Sequence, residues 1–227
     1  MTNQNSTKLS NKEIANSIHK MIKPILSSYW DGKETVLEMK NTNYKNWKQM
    51  EWIGFNFERI IEIHNKNFDG KITKSEKQYD NVKFDIECFG IIADLKTHVS
   101  NTKSKAIILN NQKETIEAIQ DYGAMAIITL TGSATYDEDG SFKNFIEKLK
   151  GSTSKYVEQG LNIKRRSRKR KTSFTPEKLY IHFLTEDALQ HCRICKQGKN
   201  SNGKPRNPKF KLSKLNNDNF EYYCFDL

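Results

Sequence analysis

The sequence predicts an α+β protein, with a central mixed β-sheet flanked by helices, and three stretches carry that prediction. Residues 84–98, FDIECFGIIADLKTH, form the body of a hairpin whose strands VKFDIEC and GIIADLKTHV meet at a tight connection near Phe89-Gly90. SKAIIL, NNQKETIEAIQDYG and AMAIITL then read as strand, helix and strand, an order that implies a crossover within a mixed sheet. AMAIITL is apolar at nearly every position, as expected of a strand covered on both faces.

The remaining elements follow from local signals. Asn11 stands where it can cap a helix through NKEIANSIHKMIKPILSSYW, in which Ile14, Ile18, Met21, Ile22, Ile25 and Leu26 recur at helical spacing, and Pro24 is placed to bend or end it. NYKNWKQMEWIGFNFERIIEIHNKNF carries Trp47, Met50, Ile53, Phe57, Ile60, Ile61 and Phe68 on a broad stripe, which predicts a long core-packed helix. Gly54 inside it costs about 1 kcal/mol relative to Ala and points to close approach of another backbone. The polar run from Asp69 to Asn81 reads as loop. Gly123 is placed as the C-cap of the crossover helix, and Ser141 as the cap of SFKNFIEKLKG. Ser152 to Thr175 is basic and without apolar period, hence a linker or long loop. KLYIHFL then reads as a strand, TEDALQHC as a short capped helix, Lys196 to Asn219 as loop and FEYYCFDL as a closing strand. Residues 1–150 are therefore expected to form the core, 151–175 a basic loop or linker, and 176–227 a region completing the same domain.

A chain of 227 residues is long enough to bury a core. Its 38 Lys and Arg against 27 Asp and Glu give a formal charge of +11, which points to a polyanionic partner, nucleic acid before an acidic membrane. No apolar run reaches the roughly 18 to 20 residues of a membrane span, and the polar N-terminus has no signal-peptide core, so an intracellular location is expected. Four cysteines are too few for a disulfide framework in a chain of this size. Cys192 and Cys195 form a CxxC, but a structural zinc site takes four ligands and only the isolated Cys224, His182 and His191 remain, so free thiols are expected and zinc is not. No glycine loop for S-adenosylmethionine or a nucleoside triphosphate is present in the sequence. KRRSRKRK, residues 164–171, is basic at every position but Ser167, and such a run stays solvated until phosphates release counterions on binding it. Lys164, Arg165, Arg166, Arg168, Lys169, Arg170 and Lys171 are thus candidate DNA contacts, as are Lys204 and Arg206 in the Lys- and Asn-rich tail.

The hairpin is where the chemistry concentrates. Strand side chains alternate, so Asp85 and Glu87 share one side of the first strand, and Asp94, Lys96 and His98 share one side of the second. Carboxylates gathered there cost several kcal/mol to bury unless a cation or water meets them. Mg²⁺ takes carboxylate and carbonyl oxygens and leaves places for water and phosphate, and Asp85, Asp94 and the carbonyl of Leu95 have that chemistry. Lys96 can hold the attacking water or help to deprotonate it, and His98 can contact a phosphate.

Asp85, followed nine residues later by Asp94-Leu95-Lys96, resembles the signature of the PD-(D/E)XK nuclease superfamily, whose best-known members are type II restriction endonucleases. The resemblance covers roughly Asn43 to Leu130 and implies a restriction-endonuclease-like core, with Glu58 in WIGFNFERIIEIH as the acidic residue on a preceding helix. Phe84 stands where the superfamily has Pro, and Asp94 where Glu is more frequent. Glu87, or Asp80 in the YDN triplet, is an alternative to Asp85 as the first ligand. The resemblance implies a sequence-specific, Mg²⁺-dependent endonuclease acting on double-stranded DNA in the cytoplasm of a prokaryotic cell, as part of restriction-modification. It further implies 5′-phosphate and 3′-hydroxyl products, and a homodimer matched to a symmetric site. The alternatives at this stage are a non-catalytic nucleic-acid-binding protein that uses the basic segment, and a repair or recombination nuclease of the same superfamily.

Overall fold

The structure is a computed structural model, and it describes residues 9–44, 46–74, 84–151, 169–199 and 203–227. The first helix, α1 (Asn11–Ile22), is capped by Ser10 and not by Asn11: the Ser10 hydroxyl accepts from the Glu13 N–H while the Glu13 carboxylate accepts from the Ser10 N–H, a capping box. It stops at Ile22, and Pro24 sits in the 3₁₀ turn Lys23–Ile25 that follows. A two-residue strand β1 (Trp30–Asp31) leads into α2 (Gly32–Asn41), capped by Asp31. The long helix expected over residues 43–68 is instead α3 (Trp52–Ile63) followed by a 3₁₀ turn, Asn65–Phe68. Strand β2 (Ile72–Lys74) lies in the expected loop. The hairpin is β3 (Ile86–Cys88) and β4 (Ile91–Val99), and Phe89 and Gly90 both have positive φ, 51° and 77°, the conformation of a type I′ turn.

Next come β5 (Ile107–Asn111), α4 (Gln112–Tyr122) with Gly123 at its C-cap, and β6 (Met125–Tyr136). Helix α5 (Ser141–Lys150) begins after Gly140, so Ser141 is its first residue and not its cap. Strand β7 (Lys171–Leu184) starts well before KLYIHFL, and the helix α6 (Glu186–Leu189) is capped by Thr185. Strand β8 (Arg193–Cys195) precedes the stretch Lys196 to Asn219 expected to be loop, β9 (Lys209–Leu212) lies within it, and β10 (Glu221–Asp226) follows.

Seven strands form the main sheet, in the order β1-β7-β6-β4-β3-β2, with β10 pairing β7 on the edge it shares with β1. Only β4 and β6 run parallel, from Ile92 opposite Met125 to Val99 opposite Gly132, so the sheet is mixed. The β5-α4 segment makes the crossover that a parallel pair requires. Strand β5 does not join the main sheet, however; it pairs β9, which pairs β8, in a second sheet of three strands.

The two faces of the main sheet carry separate cores. Ala93, Leu95, Ala126, Ile128, Leu179 and Ile181 face one core, where they meet α1, α3 and α5 through Ile18, Phe57 and Phe142. Ile92, Met125, Ile127 and Leu184 face the other, built with Ala118 and Ile119 of α4 and with Ile107, Leu109, Phe210 and Leu212 of the small sheet. Strand β6 thus reads as a continuous apolar run because both of its faces are covered. Gly132 lies at a register shift between β6 and β7, where a Cβ would overlap the Thr175 carbonyl oxygen and crowd the Phe174 ring. Because the obstacle is backbone, Gly132→Ala is expected to lower stability by about 3 kcal/mol. An unfolding free energy from urea denaturation within a few tenths of a kcal/mol of wild type would show that the bulge relaxes freely.

Candidate active site

Two backbone facts build the site. Strand β3 ends at Ile86, opposite Ala93, while β4 continues to Val99, so the β4 edge from Leu95 onward has no strand partner among the described residues. Asp85, one residue before β3, fills the first vacant place: its N–H donates to the Ala93 carbonyl (3.0 Å), and its Oδ2 accepts from the Leu95 N–H (2.7 Å). The side chain stands in for a backbone acceptor and comes to rest beside Asp94. The N–H and C=O of one strand residue point to the same side, so the Leu95 carbonyl faces the Asp85 side of the strand.

Asp94 is 1 % exposed, and its Oδ2 lies 2.5 Å from the Lys96 ammonium, itself 21 % exposed. Across from them stands Asn110 of β5, a residue with no signal in the sequence. Its Nδ2 donates to Asp94 Oδ1 (3.1 Å), and its Oδ1 accepts from Lys96 Nζ (3.3 Å), so one amide holds both charges. Helix α3 crosses β4 where Gly54 faces Thr97; a Cβ at Gly54 would lie 3.5 Å from Thr97 Oγ1, an ordinary contact that does not demand glycine. Glu58 is one turn further on the same side of the helix and is thereby carried to the open edge of β4. The helix is held in that rotation by the buried Arg59, which donates to Glu38 Oε1 and Oε2 (3.2 and 3.0 Å) and to Asn56 Oδ1.

The electrostatics tie these groups into one system. Burial pushes the Asp85 carboxyl well above the usual aspartate range; the Asp94 charge, the hydrogen bond to Asp94 and the Glu58 charge add to that, against the pull of Lys96. Burial likewise raises Glu58, to about 7, with Lys96 opposing and Asp94 assisting. For Lys96 burial acts downward, but Asp94, Asp85 and Glu58 outweigh it and hold the ammonium above its ordinary value. Fully ionised, three carboxylates and one ammonium would leave two negative charges in excess. Burial and the neighbouring charges favour the protonated forms of Asp85 and Glu58, which reduces the excess; a divalent cation would reduce it with the protons released.

Asp85, Asp94, Lys96 and Glu58 are therefore brought together, and the Leu95 carbonyl lies beside them. His98 is on the same face of β4, half-buried, with Nε2 bonded to no group among the described residues and its imidazole held below the ordinary range by burial and by Lys105 and Lys171. Glu87 is exposed and opposite Ile92, away from Asp94, and Asp80 lies outside the described residues. So do Lys164, Arg165, Arg166 and Arg168. Of the rest of that basic run, Lys169 pairs with Glu138, the Arg170 carbonyl accepts from the Asp137 N–H, and Lys171, already in β7, pairs with Glu51 at 2.7 Å. Lys204 and Arg206 are exposed, between β8 and β9. All four cysteines are unbridged.

No group of three or more His, Cys, Asp or Glu side chains able to hold a metal ion is present among the described residues. The donor set here is smaller, two aspartates and a backbone carbonyl, and Mg²⁺ is commonly bound by one or two carboxylates with water completing its shell. The donor chemistry and the charge excess both fit that ion.

Glu58 binds its proton more tightly in the folded chain than in the unfolded one. Its contribution to stability is complete below the unfolded carboxyl value near 4.5 and is lost as pH rises through about 7. Without divalent cations, the stability of the wild type is expected to fall over that window by on the order of 2 to 3 kcal/mol. Glu58→Gln should flatten this part of the urea-denaturation profile, and a variant profile as steep as wild type would place the proton on another group. Comparison of the chain with models of known protein families, with curated proteins and with solved structures finds no match in any of the three, so the functional reading rests on the geometry and charge of this site.

Proposed function

We propose that the chain is a Mg²⁺-dependent endonuclease of the PD-(D/E)XK type that hydrolyses phosphodiesters in duplex DNA. The observation that carries the reading is the convergence, at the open edge of β4, of two aspartates, a glutamate from a crossing helix and one lysine ammonium, three carboxyl groups against a single cation. Asp85, Asp94 and the Leu95 carbonyl are the groups to hold the ion. When bound, Mg²⁺ supplies positive charge against which phosphate oxygens and an attacking water are polarised.

The chain's own residues do the rest. Lys96 remains an ammonium at neutral pH, so it donates hydrogen bonds and orients the water or the phosphate; it is not the base. Glu58, with its carboxyl near 7, can take up or give back a proton at working pH. In the reaction a water oxygen bonds to phosphorus as the bond from phosphorus to O3′ breaks, which leaves a 5′-phosphate and a 3′-hydroxyl. Asn110 keeps Asp94 and Lys96 in register throughout. Cutting both strands at one locus takes two such sites, and a two-fold dimer supplies them.

Incubation of long unmodified duplex DNA with the purified chain and Mg²⁺ is expected to give discrete fragments that vanish with EDTA and with Lys96→Ala or Asp94→Asn. Random shortening would keep the chemistry but assign it to repair or recombination, and intact DNA over a range of substrates would end the nuclease reading. A second readout needs no turnover. Because the ion displaces protons from Asp85 and Glu58, calorimetric Mg²⁺ affinity should rise as pH increases through about 7, and Asp94→Asn should abolish the binding. Affinity independent of pH would place the ion elsewhere.

A further inference from the structure

The outer face of the small sheet, β5-β9-β8, is a structured surface that the candidate site leaves unused. Its inner face is apolar: Ile107, Leu109, Phe210 and Leu212 are buried against Ile92, Ile127 and Leu184. Side chains alternate along a strand, so the intervening residues point away from the core. Pairing aligns Ile108, Lys211 and Arg193 in one rung and Asn111, Lys209 and Cys195 in the next. Arg193, Lys209 and Lys211 form no ion pair among the described residues. From Ala188 to Asn217 the chain carries eight Lys and Arg and no Asp or Glu. Like charges set side by side on a sheet repel one another, so this arrangement works against the fold until an anion covers it.

The position of the face matters as much as its charge. Strand β5 of this same sheet delivers Asn110 to Asp94 and Lys96, so the basic surface begins at the candidate active site. We infer that the outer face of the β5-β9-β8 sheet, with Arg193, Lys209 and Lys211 at its centre, is a docking surface for the sugar-phosphate backbone of duplex DNA. Its role in leading a strand to Asp94 and Lys96 rests on the nuclease reading; its affinity for phosphates does not. The surface is built from ordered strands, distinct from the basic run of residues 164–171, and it contacts backbone charge without reading sequence.

The test is fluorescence anisotropy of a labelled 30-base-pair duplex with the full chain in EDTA, over a series of salt concentrations. Arg193→Ala/Lys209→Ala/Lys211→Ala is expected to weaken binding at least tenfold at low salt. It should also make the plot of log affinity against log salt shallower by about two to three, close to 0.9 for each phosphate contact removed. The charge-keeping set Arg193→Lys/Lys209→Arg/Lys211→Arg should retain both affinity and slope. Unchanged binding by the alanine variant overturns the inference, as does equal loss in the charge-keeping set, or tighter binding of the wild type to anionic phosphatidylserine vesicles than to DNA. Cleavage is read separately by adding Mg²⁺. A wild type that binds with this salt dependence but leaves DNA intact ends the nuclease reading while the docking surface stands.

Discussion

The hydrogen bond from the Leu95 N–H to the Asp85 carboxylate is the contact on which the candidate site depends. It exists because β3 stops where β4 does not, so a backbone donor that a neighbouring strand would otherwise satisfy is met by a side chain. Because β3 begins only at Ile86, the Asp85 carboxyl meets the Leu95 N–H beside Asp94, the Leu95 carbonyl faces the same side, and the edge that Glu58 approaches from α3 stays open. A short strand thus does the work of assembling three carboxylates from three segments.

Such an assembly is unfavourable for the folded chain. Partly buried carboxylates within reach of one another cannot all ionise, and one lysine compensates only one of them. The chain tolerates the cluster because the surrounding framework over-determines it: β4 is pinned by β6 from Ile92 to Val99, α3 is fixed by the buried Arg59 to Glu38 and Asn56, and Asn110 donates to Asp94 Oδ1. Local rules of charge burial are broken at one place and obeyed elsewhere, the pattern expected where a site serves chemistry and not stability.

What was legible in the sequence follows from which forces are local. The alternation in IIADLKTH and the apolar run in AMAIITL disclosed β4 and β6, because a strand's environment is written in its own residues. The tight turn was visible in Phe89-Gly90. Helix α2 was not visible: its buried positions, Thr35, Val36 and Met39, are too few and too polar to mark a stripe, and it starts on a glycine capped by Asp31. Strand β9 went unseen because only Phe210 and Leu212 on one face are buried between outward Lys209 and Lys211, and β8 because it is three residues long with none of them buried. Asn110 and Arg59 were beyond reach for a different reason. Each is a polar residue whose role is set by partners at a distance in the chain, Asp94 and Lys96 for one, Glu38 for the other, and no local pattern encodes such a pairing.

The crossover explains why the charged layers lie where they do. A parallel β4-β6 pair obliges the chain to leave the sheet, and here it returns through β5 and α4 on the face that carries Asp94 and Lys96. Strand β5 then recruits β9 and β8, which seals that core and turns a row of Lys and Arg outward. Taken with the function proposed above, this arrangement resolves an electrostatic conflict. A site whose carboxyl groups outnumber its one ammonium repels a phosphodiester once they ionise, so a polyanion approaches only if attraction outside the site exceeds repulsion within it, or if a cation first cancels the excess. A basic face adjoining an acidic pocket provides the first condition, and a divalent ion provides the second. On the function proposed above, each would lower the cost of the other, so ion and duplex would bind with positive coupling, and by reciprocity the DNA would tighten the hold on the metal as much as the metal tightens the hold on the DNA.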